Sequence, residues 1–140
     1  MSVLNPYLCF RGQAAAAIDF YQSVFGGEVT RMTFADMGGM GLEEEEQGWI
    51  MHSQLTTPDG QTLMCSDTPV SMSADDIRVA QIALSGAADE EPTLRAWFDR
   101  LGEGGEVHVP LEKAPWGDWF GQCADPFGHI WMVNIAGDQG

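Results

Sequence analysis

Basic residues are scarce in this sequence. Lys113 is the only lysine, and six basic residues in all face twenty-one acidic ones, for a formal net charge of −15. A field of that sign repels phosphate backbones and anionic headgroups, so neither nucleic acid nor a membrane surface is an expected partner. It favours a cationic ligand, although an acidic surface also serves solubility alone. Cysteine is equally sparse: Cys9, Cys65 and Cys123 stand alone in apolar, strand-like contexts with no CxxC spacing. That excludes a disulfide frame or a zinc knuckle and points to reduced thiols in the core. No apolar run reaches the length of a membrane span. The first residues carry no basic segment followed by an apolar stretch and a cleavage site, so the cytoplasm is the expected location. Also missing are a Ser-His-Asp ordering, a phosphate loop and an HExxH pattern, the usual marks of hydrolases and nucleotide enzymes.

The chain does contain a well-filled core. Hydrophobic residues make up 44% of the 140 positions, with five tryptophans and seven phenylalanines, which excludes disorder. A chain of this length buries roughly two thirds of its unfolded surface and needs no disulfide or structural metal to fold.

It is also written twice. Residues 57–66 and 125–134 share a register in which Pro58, Gly60, Met64 and Ser66 fall on Pro126, Gly128, Met132 and Asn134. Upstream, Ala17, Phe20, Tyr21 and Val24 repeat as Leu94, Trp97, Phe98 and Leu101, and each run leads to Gly-Gly-Glu-Val, at 26–29 and 104–107. The helical spacing of those apolar residues predicts helices over Ala14–Phe25 and Glu91–Leu101. Strands are predicted at Val3–Phe10, Val29–Phe34, Trp49–Thr56, Gln61–Ser66, Arg78–Leu84, Val107–Leu111, Phe120–Cys123 and His129–Ile135. Each half therefore reads βαβββ, an α+β plan of two modules, with a turn at Pro58-Asp59-Gly60 and its counterpart at Pro126-Phe127-Gly128. Two half-domains that cannot bury their apolar faces alone are expected to pack together and leave a ligand cavity at the seam. Residues 35–48, with four glycines and the run Glu43–Glu46, read as a solvated, mobile loop, with a ligand lid as the other reading.

The duplicated βαβββ plan resembles the vicinal oxygen chelate superfamily of glyoxalases, extradiol dioxygenases and bleomycin-resistance proteins. Pro6-Tyr7-Leu8-Cys9-Phe10, Ala17-Ile18-Asp19-Phe20-Tyr21, Cys65-Ser66-Asp67 and Trp116-Gly117 followed by Asp125-Pro126-Phe127-Gly128-His129 resemble its PhnB-like branch. The resemblance implies one domain over 1–140, built from module 1 (1–67), a linker (68–77) and module 2 (78–137), with curled sheets around a cavity. It also implies a homodimer. A ubiquinone-pathway methyltransferase activity attached to this branch finds no support, because no strand runs into a glycine-rich loop able to cradle a nucleotide-like cofactor.

Metal-dependent members of that superfamily take one ligand from the first and one from the last strand of each module. The corresponding positions here are Pro6, Met64, Gln81 and Met132, of which only Gln81 is a hard ligand. A shift of one residue brings in Tyr7, Cys65 and Val133, which form no ligand set either. No metal and no cofactor are expected. In Trp49–Thr56, alternation sets Trp49, Met51 and Leu55 on one face and His52, Gln54 and Thr56 on the other. If the first face meets the helix, His52 and Gln54 face the cavity, joined by Met64, Ser66, Phe120, Gln122, Met132 and Asn134. Trp116 is then an aromatic wall at the mouth, and Asp118 or Asp67 a counter-charge for a cation. His108 and His129 read as exposed or hydrogen-bonded surface residues.

Two functions follow. One is a metal-independent binding protein for a small organic ligand, a cation being one option, oriented by His52, Gln54, Ser66, Gln81, Gln122 and Asn134. The other is a lyase, isomerase or transferase acting on a small metabolite, with His52 as the catalytic acid or base. A polar network that merely satisfies itself inside a small barrel explains the same residues, and for an interaction module the sequence offers nothing positive.

Overall fold

The computed structural model describes residues 4–39, 41–72 and 77–137. Val3, at the start of the first expected strand, Met40 in the acidic loop and residues 73–76 of the linker lie outside them. The chain divides into two compact units, 1–78 and 79–140.

In the first unit β1 (Tyr7–Phe10) leads through α1 (Ala14–Phe25) to β2 (Glu28–Thr33), β3 (Ile50–Thr56) and β4 (Thr62–Asp67). The sheet order is β1-β4-β3-β2, with β1 parallel to β4 and the other pairs antiparallel. The apolar stripe of α1 (Ala14, Ala17, Ile18, Tyr21, Val24) packs on β3 and β4. Facing it from the sheet are the buried Leu8, Phe10, Leu55, Leu63 and Cys65.

The second unit repeats the plan with β5 (Gln81–Gly86), α2 (Glu91–Gly102), β6 (Glu106–Lys113), β7 (Trp119–Ala124) and β8 (Ile130–Ile135). Its order, β5-β8-β7-β6, is the first unit's order again. Leu94, Phe98 and Leu101 of α2 are buried with Cys123, Trp131, Val133 and Ile135 of the sheet. The protein is thus α+β, two βαβββ modules, each with a helix on one face of a four-stranded mixed sheet.

The two copies of the hairpin turn close in the same way. Thr57 N–H donates to Gln61 O and Gly60 N–H to Thr57 O; Asp125 N–H donates to His129 O and Gly128 N–H to Asp125 O. Gly60 and Gly128 both sit at positive φ, +86° and +94°, where a side chain is strained. The short side chain opening each turn caps it: Thr57 Oγ1 accepts from Gln61 N–H, and Asp125 Oδ1 from His129 N–H.

Three expectations need correction. Ile50, not Met51, fills the core in β3, because the register slips beside it: Met32 lies opposite His52 and Thr33 opposite Ile50, which leaves Met51 as the extra residue. The acidic segment is not simply solvated. It holds short 3-10 turns at 35–37 and 44–46, the Glu46 carboxylate is buried and accepts from Val70 N–H, and Gln47 donates to Gly39 O and Leu42 O. His129 is buried rather than exposed, and its Nδ1 accepts from Ala80 N–H at 2.9 Å.

Candidate functional site

The face of the first sheet turned away from α1 is built by strand register. Tyr7 lies opposite Met64, Cys9 opposite Ser66, Gln54 opposite Met64 and Met32 opposite His52. Leu55, Leu63 and Cys65, one residue out of phase, are buried against the helix. His52, Gln54, Met64 and Ser66 therefore share one face, and the structure adds Tyr7. The Tyr7 hydroxyl donates to Ser66 Oγ at 2.8 Å, and its ring lies stacked with the His52 imidazole, 6.4 Å between centroids and 28° between planes. No hydrogen bond engages the imidazole among the described residues, and the side chain is half-buried. Gln54 Nε2 donates to Thr56 Oγ1 at 3.3 Å. Tyr7 was legible in the sequence only as the residue reached by a one-residue shift, and its partner became visible once β1 paired with β4 in parallel.

Asp67 does not reach this face as a counter-charge. It is buried at the end of β4, where Oδ1 accepts from Gly12 N–H at 2.7 Å and Ala14 N–H at 3.0 Å, and Oδ2 from Ile50 N–H at 2.9 Å. Helix α1 has no acidic residue in its own first turn, so β4 supplies the carboxylate that caps it.

On the second sheet, Phe120 lies opposite Asn134, Gln122 opposite Met132 and Ala83 opposite Met132, all on the face away from α2. Gly121 and Cys123 alternate with them and are buried. The Cys123 thiol is pushed up to about 11 by burial and, secondarily, by the Asp125 charge, so it remains protonated at neutral pH. Trp116 is 66% exposed and meets Phe120 edge-on at 6.2 Å. Asp118, at the foot of the same turn, accepts from Gly137 N–H at 2.9 Å and from Asn134 Nδ2 at 3.2 Å. Those two donors, the backbone one first, hold its carboxyl below the usual carboxylate range and keep it charged. Gln81 is exposed at the start of β5, opposite Ile130.

These positions do not suit a divalent ion. At the level of the last-strand methionines the first strands offer Tyr7 in one module and Ala83 in the other, not Pro6 and Gln81 as the resemblance implied. A thioether and a phenol in one module, and a thioether and a methyl group in the other, do not suit a hard or borderline cation. Among the described residues, no three His, Cys, Asp or Glu side chains come together in a way that could hold a metal. No described helix is long and apolar enough to cross a membrane.

The family profile of the Glyoxalase/Bleomycin resistance protein/Dioxygenase superfamily matches residues 3–133. Protein YjdN of Escherichia coli strain K12 is 28% identical, with 97% of each chain covered. Among solved structures, protein PA1353 from Pseudomonas aeruginosa is 30% identical and covers 99% of this chain and 100% of its own, with a TM-score of 0.81. The PhnB protein from Bacillus cereus is similar in fold, at 24% identity, with a TM-score of 0.65 over 96% of this chain and 100% of its own.

Proposed function

The chain belongs to the Glyoxalase/Bleomycin resistance protein/Dioxygenase superfamily, and from that premise we propose that it is a metal-independent binding protein for a small organic cation. One observation carries the reading. Register gathers Tyr7, His52, Gln54, Met64 and Ser66 on one half-buried sheet face, apolar with a few polar groups, the character of small-molecule sites. Phe120, Gln122, Met132 and Asn134 repeat that character in the second module. The cationic class is supported by the net charge of −15 and by Asp118, whose carboxylate stays ionised two residues from the exposed Trp116 ring. The working form is a homodimer, which covers the strand edges an isolated copy leaves open.

The test uses untagged protein dialysed against chelator. A panel of small aromatic cations, with neutral and anionic analogues, is assayed by thermal shift and calorimetry. Saturable binding of a cation by the metal-free protein, weakened by His52→Gln and Trp116→Ala, is the expected result. A requirement for about one divalent metal per chain, or selection of anions over cations, overturns the reading. Sedimentation is expected to give one species near twice 15.2 kDa.

One observation favours a second reading, an enzyme in which His52 is the acid or base. Its imidazole makes no hydrogen bond among the described residues and lies stacked with the Tyr7 ring. Turnover of a small metabolite with a pH profile that His52→Gln abolishes distinguishes this from simple binding.

A further inference from the structure

The two modules differ at one place where their sequences begin alike. After Gly-Gly-Glu-Val, β2 continues in register, with Val29 opposite Leu55 and Thr30 opposite Gln54. In β6 the register slips: Val107 lies opposite Cys123, but Val109, not His108, lies opposite Gln122. His108 is an inserted residue at a β-bulge, a device that re-aims a side chain. Its Nδ1 lies 3.4 Å from Gln122 Nε2, and its Nε2 lies 3.8 Å from Glu106 Oε2. Gln122 and Gln54 are counterparts, each opposite the last-strand methionine of its module, yet the Gln54 amide is paired with Thr56 and not with a histidine ring.

We propose that His108 is a specificity-determining residue of the second module's binding face, setting whether Gln122 offers its carbonyl or its amide group to a ligand. The proposal rests on the binding function above and deepens it. When Gln122 turns Nε2 to the ring, that group only donates, so Nδ1 accepts and the ring is the neutral Nε2–H tautomer. The amide nitrogen is then occupied, and Gln122 presents Oε1, an acceptor suited to an amine, amidine or guanidine. Protonation makes Nδ1 a donor. Gln122 must then turn its amide by half a rotation to receive it, and the outward group becomes an N–H donor that suits carbonyl or carboxylate ligands and disfavours cations.

The groups around the ring allow this. Glu106, on the same strand, is the charged group facing Nε2. Among the described residues β6 pairs with β7 alone, where the titratable Cys123 is buried on the helix side and stays protonated; α2, which also packs on β6, carries Arg95, Asp99 and Arg100 on the side of the sheet away from Gln122. Glu112 and Lys113 lie at the far end of β6. Histidine is the side chain whose charge ordinarily changes between pH 5 and 8.

The experiment is an NMR titration of the 15N-labelled full chain from pH 5 to 8.5, following the His108 ring nitrogens and the Gln122 side-chain amide. The expected result is an Nε2–H tautomer at the alkaline end, a Gln122 amide shift with the same midpoint as the ring, and loss of that shift in His108→Ala. Benzamidine serves as the probe cation, and its affinity for the wild type should fall about tenfold as the ring protonates, the scale of one hydrogen bond to a charged group. The variant's affinity should lose the part of the pH dependence that shares its midpoint with the Gln122 amide shift. A Gln122 amide indifferent to the titration of His108, or a shift that persists in His108→Ala, overturns the proposal. If benzamidine binds at no pH, it is the binding function that fails, and the amide titration still decides the role of His108.

Discussion

Gly27 and Gly105 occupy the same place in the two modules: a β-carbon on either would stand 2.0 Å from a backbone carbonyl oxygen, that of Thr56 in one and Ala124 in the other. Each lets the chain leave its helix and enter the second strand directly over the end of the third. The repeated Gly-Gly is therefore a steric requirement of the βαβββ unit. Gly27→Ala and Gly105→Ala should each cost about 3 kcal/mol or more, because a backbone atom cannot swing aside as a side chain does. Gly60→Ala, with open space around its Cβ, should cost less, from positive φ alone. Denaturant melts of the three variants check the order.

Asp67 ties the start of α1 and the start of β3 to the end of β4 through three backbone N–H groups. Asp67→Ala leaves these donors without the carboxylate in a buried place and should lower stability by about 3 kcal/mol or more. Asp67→Asn keeps an acceptor oxygen and should lose less. A surface counter-charge would give a loss near zero in both, so equilibrium unfolding separates the roles.

The Cys123 thiol should resist alkylation. With its value raised to about 11, its thiolate fraction at pH 8 lies roughly a hundredfold below that of an unfolded thiol. Because the folded-state value is the higher one, the associated stability is complete below about pH 9, the ordinary value, and drains away as pH rises toward about 11. Iodoacetamide labelling read by mass spectrometry should mark Cys123 only after denaturation. Cys123→Ser should flatten the alkaline limb of the stability profile.

Asp118 has the opposite sign. Its folded-state value is lowered, by Gly137 N–H first and Asn134 second, so its contribution is present above the usual carboxylate range and disappears as pH falls through the lowered value. The difference in melting temperature between wild type and Asp118→Asn should narrow as the buffer is taken from pH 6 to pH 3.

His52→Gln should leave stability within about 0.5 kcal/mol of wild type, since the half-buried ring has a stacking neighbour and no hydrogen bond among the described residues. Ligand binding should fall. A loss of several kcal/mol would instead mark His52 as a core residue.

Periodicity and repetition determined the architecture. Both helices, eight strands and the α+β class were legible because apolar spacing reports which face of an element is buried, and α1 begins and ends where its stripe does. The shared face of His52, Gln54, Met64 and Ser66 was legible for the same reason, as strand alternation is local. What alternation cannot carry is register. The bulges that bury Ile50 in place of Met51 and insert His108 beside Gln122 arise where two strands pair, and nothing in either strand alone marks them. The parallel pairing of β1 with β4 brings Tyr7 to Ser66 across 59 residues of sequence, and Asp67 to the amides of α1. His129 read as a surface group and Asp67 as a counter-charge for a cation, because polar residues usually face solvent or a ligand. Only the tertiary structure supplied the buried amides whose need for partners draws them inward.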